Sequence, residues 1–254
     1  MTTFKDHFST GSADYARFRP SYPDELYAWL AEQAPGRRLA WDVATGSGQA
    51  ARGLAPFFER VFGSDASAEQ IKNAVPHDKV DYAVGSCEAS GLAEGSADLV
   101  CVAQALHWFD RAAFYREVRR VLAPGGLIAV WCYGHLTVDP GLDPLLYHFY
   151  DQVVGPYWPP ERVLIEQGYR TLDFDFDEME TPDFAIRRAW DLDGLVGYLG
   201  TWSAVQRYRG DRGEDPIPAL RRELEPLWGD ANAEREIRWP LSLRAGRPSG
   251  EGAR

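Results

Sequence analysis

The chain has 254 residues, 45% of them hydrophobic and nine of them Trp, enough for one large core or a core with a cap. A net charge of −11 and a pI near 5.0 exclude a general binder of nucleic acid or anionic membrane, since both need clustered positive charge. Cys87, Cys101 and Cys132 are far apart with no zinc-ligand spacing, and no run reaches the roughly 18 apolar residues of a membrane span, so the expectation is a cytoplasmic, reduced, metal-free protein acting on a small molecule.

Residues 1–23 mix aromatic and polar side chains, and Pro20 and Pro23 stop any helix there. They read either as a flap over a ligand, with Tyr15 and Tyr22 walling a pocket and Arg19 meeting a carboxylate, or as a surface arm packed by its aromatics. Residues 24–34 predict a short helix, with Asp24 and Glu25 well placed in its first turn.

The chain is organised around residues 39–51. A short apolar run, Leu39-Ala40-Trp41-Asp42-Val43, predicts a buried parallel strand; Ala44-Thr45-Gly46-Ser47-Gly48 turns; Gln49-Ala50-Ala51 starts a helix. Glycines at such a turn permit positive φ and let a ligand lie on bare backbone at a helix N-terminus. Two ligand classes use this geometry: a dinucleotide, through its pyrophosphate, and S-adenosylmethionine, which has no phosphate but carries a sulfonium and an ammonium. Asp42 favours the second if its charge faces the cleft. Otherwise it caps local amides beneath a structural turn.

Residues 50–58 predict a helix and 60–65 a second strand ending in Asp65. A carboxylate there accepts from ribose hydroxyls or caps the next helix, a task Ser67 can perform instead. Residues 79–84 predict a third strand, after which Ser86, Cys87 and Glu88 meet an adenine edge, or Cys87 packs and Glu88 starts a helix. Residues 98–103 predict a central fourth strand running into Gln104-Ala105-Leu106-His107-Trp108. His107 is a candidate general base or a packed histidine, and Trp108 a pocket wall. A helix over 111–122, a Pro124-Gly125-Gly126 turn and a strand over 127–131 complete a βα alternation, which implies a doubly wound, Rossmann-like parallel sheet.

From His135 the pattern changes. Residues 135–180 predict a helical cap rich in aromatics, including Tyr157. Residues 181–191 predict a strand, 192–205 a helix with Trp202 facing a ligand or the core, 219–228 a helix, 237–244 a half-buried strand, and 246–254 a disordered tail.

Asp42-x-Ala44-x-Gly46-x-Gly48, Asp65, Ser86-Cys87-Glu88, Gln104-Ala105-Leu106-His107-Trp108-Phe109 and Val121-Leu122-Ala123-Pro124-Gly125-Gly126 stand in order. Together they resemble the class I S-adenosylmethionine-dependent methyltransferases of the type 11 group, and the opening Asp6-His7-Phe8, Tyr15 and Arg19-Pro20-Ser21-Tyr22-Pro23 resembles their trans-aconitate methyltransferase-like branch. The resemblance implies a single α/β domain with seven strands, the last antiparallel, and a helical cap. It implies that Ala44, Gly46 and Gly48 bind the methionine part with Asp42 close by, that Asp65 and the adjoining Ala66 meet the ribose, that Ser86, Cys87 and Glu88 flank adenine, and that Gln104 and Ala105 lie near the ammonium and sulfonium. Arg19 is its candidate for the cofactor carboxylate. Ala44 departs from the usual glycine, which a negative φ would tolerate. The implied reaction moves a methyl group in line from the sulfonium to a small-molecule acceptor such as a carboxylate or hydroxyl, with S-adenosylhomocysteine as product. A nicotinamide oxidoreductase and a non-catalytic cofactor binder are the rival readings.

Overall fold

The computed structural model describes residues 20–249. Tyr15, Arg19, most of the expected flap and the last five residues lie outside the described residues.

Helix α1 (Asp24–Gln33) leads into β1 (Leu39–Val43), α2 (Gln49–Leu54), β2 (Arg60–Asp65), α3 (Ala68–Lys72), β3 (Val80–Val84) and β4 (Ala97–Ala103). A 3-10 turn (Leu106–Trp108), α4 (Arg111–Val121) and β5 (Leu122–Tyr133) follow. The sheet runs β3-β2-β1-β4-β5, all parallel. The long last strand, β8 (Arg235–Arg247), inserts antiparallel beside β5 and carries the short β6 (Asp177–Met179) beyond it. Here β8 changes partner: Arg235–Pro240 pair with β7 (Ala185–Trp190), and 241–247 pair with β5 and β6. Proline lacks a backbone donor, and Pro240 falls where the partner changes.

Side chains alternate along the central strands, as a sheet covered on both faces requires. Ala40, Leu99, Cys101, Leu127, Ala129 and Trp131 face α1 and α2; Trp41, Val100, Val102, Ile128, Val130 and Cys132 face α4. Trp41, Trp131 and Trp239 are fully buried. Each removes on the order of 200 Å² from water, about 5 kcal/mol of gross hydrophobic stabilisation. The cap consists of α5 (Asp143–His148), a π turn (Phe149–Val153), a 3-10 turn (Gly155–Tyr157) and α6 (Arg162–Glu166). Helices α7 (Leu192–Gly200), α8 (Ser203–Arg212) and α9 (Ile217–Trp228) pack on the α1 side. Among the described residues no helix is long and apolar enough to cross a membrane.

The mostly parallel sheet with an antiparallel last strand agrees with the expected fold, but it has eight strands where seven were expected, β7 pairing with β8 off the main path, and several boundaries differ. The helix expected over 50–58 ends at Leu54, because the chain turns to reach Arg60. The expected Pro124-Gly125-Gly126 turn lies inside β5 as a bulge: Ala97 pairs with Leu122 and Leu99 already with Leu127, and Gly125 has φ +75°. The helix expected over 192–205 breaks at Thr201-Trp202 into α7 and α8. No helix follows Glu88. Gly246, expected in a disordered tail, pairs with Ile128, and an added Cβ there would lie 2.9 Å from the Asp177 carbonyl. Glycine lets β6 approach β8 that closely.

Candidate active site

The β1–α2 turn is held from below by Asp42 and from the side by Asp65. The Asp42 carboxylate is 1% exposed. Its Oδ2 accepts from Thr45 Oγ1 at 2.6 Å and from the Ala51 amide at 2.9 Å, and its Oδ1 from the Cys101 thiol at 3.6 Å. Burial pushes its pKa up to about 6, the three donors pull it back, and the Asp65 charge adds to the rise. Asp42 therefore does not open onto the cleft. It braces the turn and caps α2, the local-amide alternative of its sequence reading.

Asp65 Oδ2 accepts from the Gly46 amide at 2.9 Å and its Oδ1 from the Ser67 amide at 2.8 Å, linking the two strand ends. Ser67 caps α3 through the Gln70 amide, leaving Asp65 at the edge with Ala66 exposed beside it. Along the turn Ala44, Gly46 and Gly48 have φ of +54°, +56° and +82°. The negative φ expected for Ala44 is overturned: its methyl sits in the left-handed region, at a cost of about 1 kcal/mol or more. The space above Gly46 is open, the nearest atom to an added Cβ being Gln70 Oε1 at 3.8 Å. An added Cβ at Gly48 would lie 2.0 Å from the Tyr82 hydroxyl, which donates to the Val75 carbonyl.

At the end of β4, Gln104 is also left-handed (φ +60°). Its amide donates to the Trp131 carbonyl at 2.9 Å and its Nε2 to the Tyr133 carbonyl at 3.1 Å. Its Oε1 is buried with no donor among the described residues. Gln49 behaves likewise, its Nε2 held by the Pro20 carbonyl at 2.7 Å and its Oε1 left over. The Trp131 indole N–H is a third buried group without a partner among the described residues. Tyr22 meets Trp131 edge-on, ring centroids 5.5 Å apart, so it closes this edge as part of the core. Ala105 is buried beside Gln104.

His107 Nδ1 lies 2.8 Å from the Tyr169 hydroxyl, and its ring packs tilted against the half-exposed Trp108, centroids 4.6 Å apart. Burial and the nearby Arg162 charge lower its pKa to about 4, so the imidazole is neutral at pH 7. Trp202 packs among Tyr150 and Trp158, with centroids 5.6 and 5.5 Å away. Tyr157 turns outward, its hydroxyl donating to Asp211 and accepting from Arg212, so it does not join His107. Ser86 and Glu88 are exposed in a turn closed by the Ser86–Ala89 bridge. Cys87 packs on the α4 side, and burial pushes its thiol up to about 12, which fits packing rather than reactivity.

Sequence reasoning missed Gln49, Tyr82, Trp131, Arg162 and Tyr169. Gln49 alone carried a signal, as the residue directly after the second glycine. The others come from strands or cap positions whose approach to the edge no local pattern announces.

The strand order, the antiparallel β8 beside β5, the braced glycine turn and the acid at the end of β2 define a class I methyltransferase, an enzyme that takes its methyl group from S-adenosylmethionine. Residues 41–130 match the family model described as "Methyltransferase domain". A Dictyostelium discoideum protein carrying a methyltransferase name is 34% identical over 88% of this chain and 86% of its own length. A methyltransferase of Aspergillus terreus is 24% identical over 95% of this chain and 93% of its own length. A solved structure named as a type II methyltransferase, from Anaeromyxobacter dehalogenans, has 45% identity and a TM-score of 0.88, covering 91% of this chain and 98% of its own. The chain belongs to the methyltransferase family.

Proposed function

We propose that the protein binds S-adenosylmethionine across the carboxyl ends of β1, β2 and β4 and methylates a small acceptor under the cap. The carrying observation is the buried Gln104 Oε1, which has no donor among the described residues while its amide nitrogen is pinned to Tyr133. A charge-bearing donor such as an ammonium suits that acceptor, and Gln49 Oε1 offers a second. The open backbone above Gly46 suits a ligand lying flat on the turn. Asp65 suits ribose hydroxyls, and Ala66, Ser86 and Glu88 follow on the exposed side. The donor set thus fits the cofactor, which supplies an electrophilic methyl on a sulfonium.

The chain's own work is orientation and exclusion of water. Asp42 and Asp65 fix the turn, Tyr22 and Trp131 seal the edge, and Trp202 stiffens the cap. His107, neutral and tied at Nδ1, holds an acceptor hydroxyl or takes its proton when the tautomer leaves Nε2 free. A carboxylate acceptor needs no such base.

Calorimetric titration with S-adenosylhomocysteine tests the site. Gln104→Ala and Asp65→Asn should each weaken binding by roughly 10- to 100-fold, the value of one charge-assisted hydrogen bond. Wild type that binds NADH and not S-adenosylhomocysteine would sink the reading. Labelled methyl transfer to a panel of small acids and phenols tests the reaction, and unchanged transfer by His107→Ala removes His107 from it.

A further inference from the structure

Helix α6 packs on the α4 side of the sheet, where the Cys132 thiol meets the Ile165 carbonyl at 3.7 Å. The aromatic part of the cap, Phe149, Trp158 and Trp202, packs on the opposite side. Arg162, one turn before Ile165, bridges the two across the carboxyl end of β5. Its Nε donates to the Tyr150 hydroxyl at 2.7 Å. Its guanidinium carbon lies 4.6 Å from the Trp158 ring centroid and 5.4 Å from that of Tyr150. A cation held over ring faces in this way keeps its N–H groups for hydrogen bonds to other partners.

That edge is unspent. Among the described residues Arg162 forms no ion pair, and its terminal nitrogens form no hydrogen bond. The nearby acid, Glu166, has its carboxylate on the Tyr150 hydroxyl at 2.5 Å. The groups its charge reaches are Tyr150, His107, His135, Cys132 and Tyr169, none of them anionic at pH 7. His135 stacks edge-on to Tyr150 at 4.9 Å, and its buried Nε2 has no partner among the described residues. Arg162 is partly buried beside neutral imidazoles, and the Glu166 carboxylate reaches it only through the shared Tyr150 hydroxyl, which leaves its outer edge to meet an anion.

We infer that Arg162 is the anion-binding residue of the acceptor site, receiving the carboxylate or equivalent group of a flat, apolar-bodied acceptor that lies against the partly exposed Trp158 and Trp202 rings. This rests on the methyltransferase reading of the same site. His107 and Trp108, on the β4 side, then face the body of that acceptor, and the cap selects by charge at one end and by stacking along the length.

The test uses two probes of one shape, 2-naphthoate and its uncharged amide, titrated by tryptophan fluorescence with and without S-adenosylhomocysteine. Wild type should bind the naphthoate about tenfold more tightly than the amide, the value of a charge-assisted pair. Arg162→Gln should lose that preference while binding the amide unchanged, and Arg162→Lys should keep part of it. Equal binding of the two probes by wild type, no binding of either, or a preference that survives Arg162→Gln overturns the proposal. S-adenosylhomocysteine binding without a charge preference sinks the anion site alone. A charge preference without S-adenosylhomocysteine binding supports the anion site and sinks the cofactor reading instead.

Discussion

Asp42 makes the protein's stability depend on pH in a direction opposite to that of most native carboxylates. Its folded pKa is about 6 against 3.8 for the free side chain, because burial outweighs the donors from Thr45, Ala51 and Cys101. Between those values the folded chain holds a proton that the unfolded chain has released, so stability falls as pH rises through the window. At about 1.4 kcal/mol per pH unit over roughly two units, the loss is about 3 kcal/mol between pH 4 and 7. His107 works the other way. Its folded pKa of about 4 lies below the usual 6.5, so it contributes stability that is present above 6.5 and lost as pH falls toward 4. In the wild type alone the two slopes largely cancel, and the informative quantity is the difference from Asp42→Asn. Asparagine with its oxygen in the Oδ2 place keeps the acceptor for both the Thr45 hydroxyl and the Ala51 amide, and its nitrogen then faces the Cys101 sulfur. Urea unfolding at half-unit pH steps should show wild type losing about 3 kcal/mol relative to the variant from pH 4 to 7. Parallel curves, or wild type gaining with pH, would show that the hydrogen bonds outweigh burial and that Asp42 is ionised in the fold.

Ala44→Gly should raise stability by up to about 1 kcal/mol, the relief at φ +54° exceeding the entropy glycine adds to the unfolded chain; thermal denaturation that shows a loss contradicts strain at this turn. Tyr169→Phe should cost about 1–3 kcal/mol in urea unfolding at pH 7, since His107 Nδ1 loses its partner in a buried place, and should change the imidazole 15N shifts; unchanged shifts would mean the bond is not formed. Glu117 accepts from the Ser90 amide at 2.8 Å, the Ser90 hydroxyl at 2.6 Å and the Arg120 guanidinium at 2.7 Å, and Arg120 in the first place drives its pKa to about 2. Its stabilisation is present above 4.5 and lost as pH falls toward 2, so the gap between wild type and Glu117→Gln should be constant above pH 5 and close below it.

The parts of the fold that local chemistry dictates were legible in the sequence. The βα alternation, the edges of β2 at Arg60 and Asp65, and the role of Ser67 as a cap follow from apolar runs and capping residues. Asp65, Gln104 and His107 were placed at one sheet edge because each follows a strand read from such a run. Bulges and partner changes were not legible: Gly125 reads as an ordinary turn glycine, and nothing local says that β8 leaves β7 at Pro240 to join β5 and β6. The sequence leaves open whether Asp42 faces the cleft or caps local amides, because an apolar run fixes that a strand is buried, while the face each residue takes depends on which helix lies behind it. Here α2 lies behind Asp42 and gives it the Ala51 amide.

Strain was the least legible property, and it concentrates at the site. The non-glycine residues of positive φ among the described residues are Ala44, Gln104 and Tyr169. One closes β1 onto the glycine turn, one closes β4 with a donor-less amide oxygen, and one carries the phenol that meets His107. A left-handed alanine, glutamine or tyrosine persists only when its surroundings over-determine it, at a cost of order 1–3 kcal/mol each. Gln104 shows how: its backbone amide is bound to Trp131 and its side-chain nitrogen to Tyr133, so the conformation that points its oxygen away from protein donors is enforced from two directions. Tyr169 follows Gly168, whose added Cβ would lie 2.5 Å from Ser242 Oγ, so the chain enters the tyrosine through a residue that must itself be glycine. A sequence pattern optimised for folding alone would place glycine or asparagine at such positions. Gln104 and Tyr169 are larger than that, and each makes a polar contact, Gln104 with the Tyr133 carbonyl and Tyr169 with His107 Nδ1, that its left-handed backbone aims.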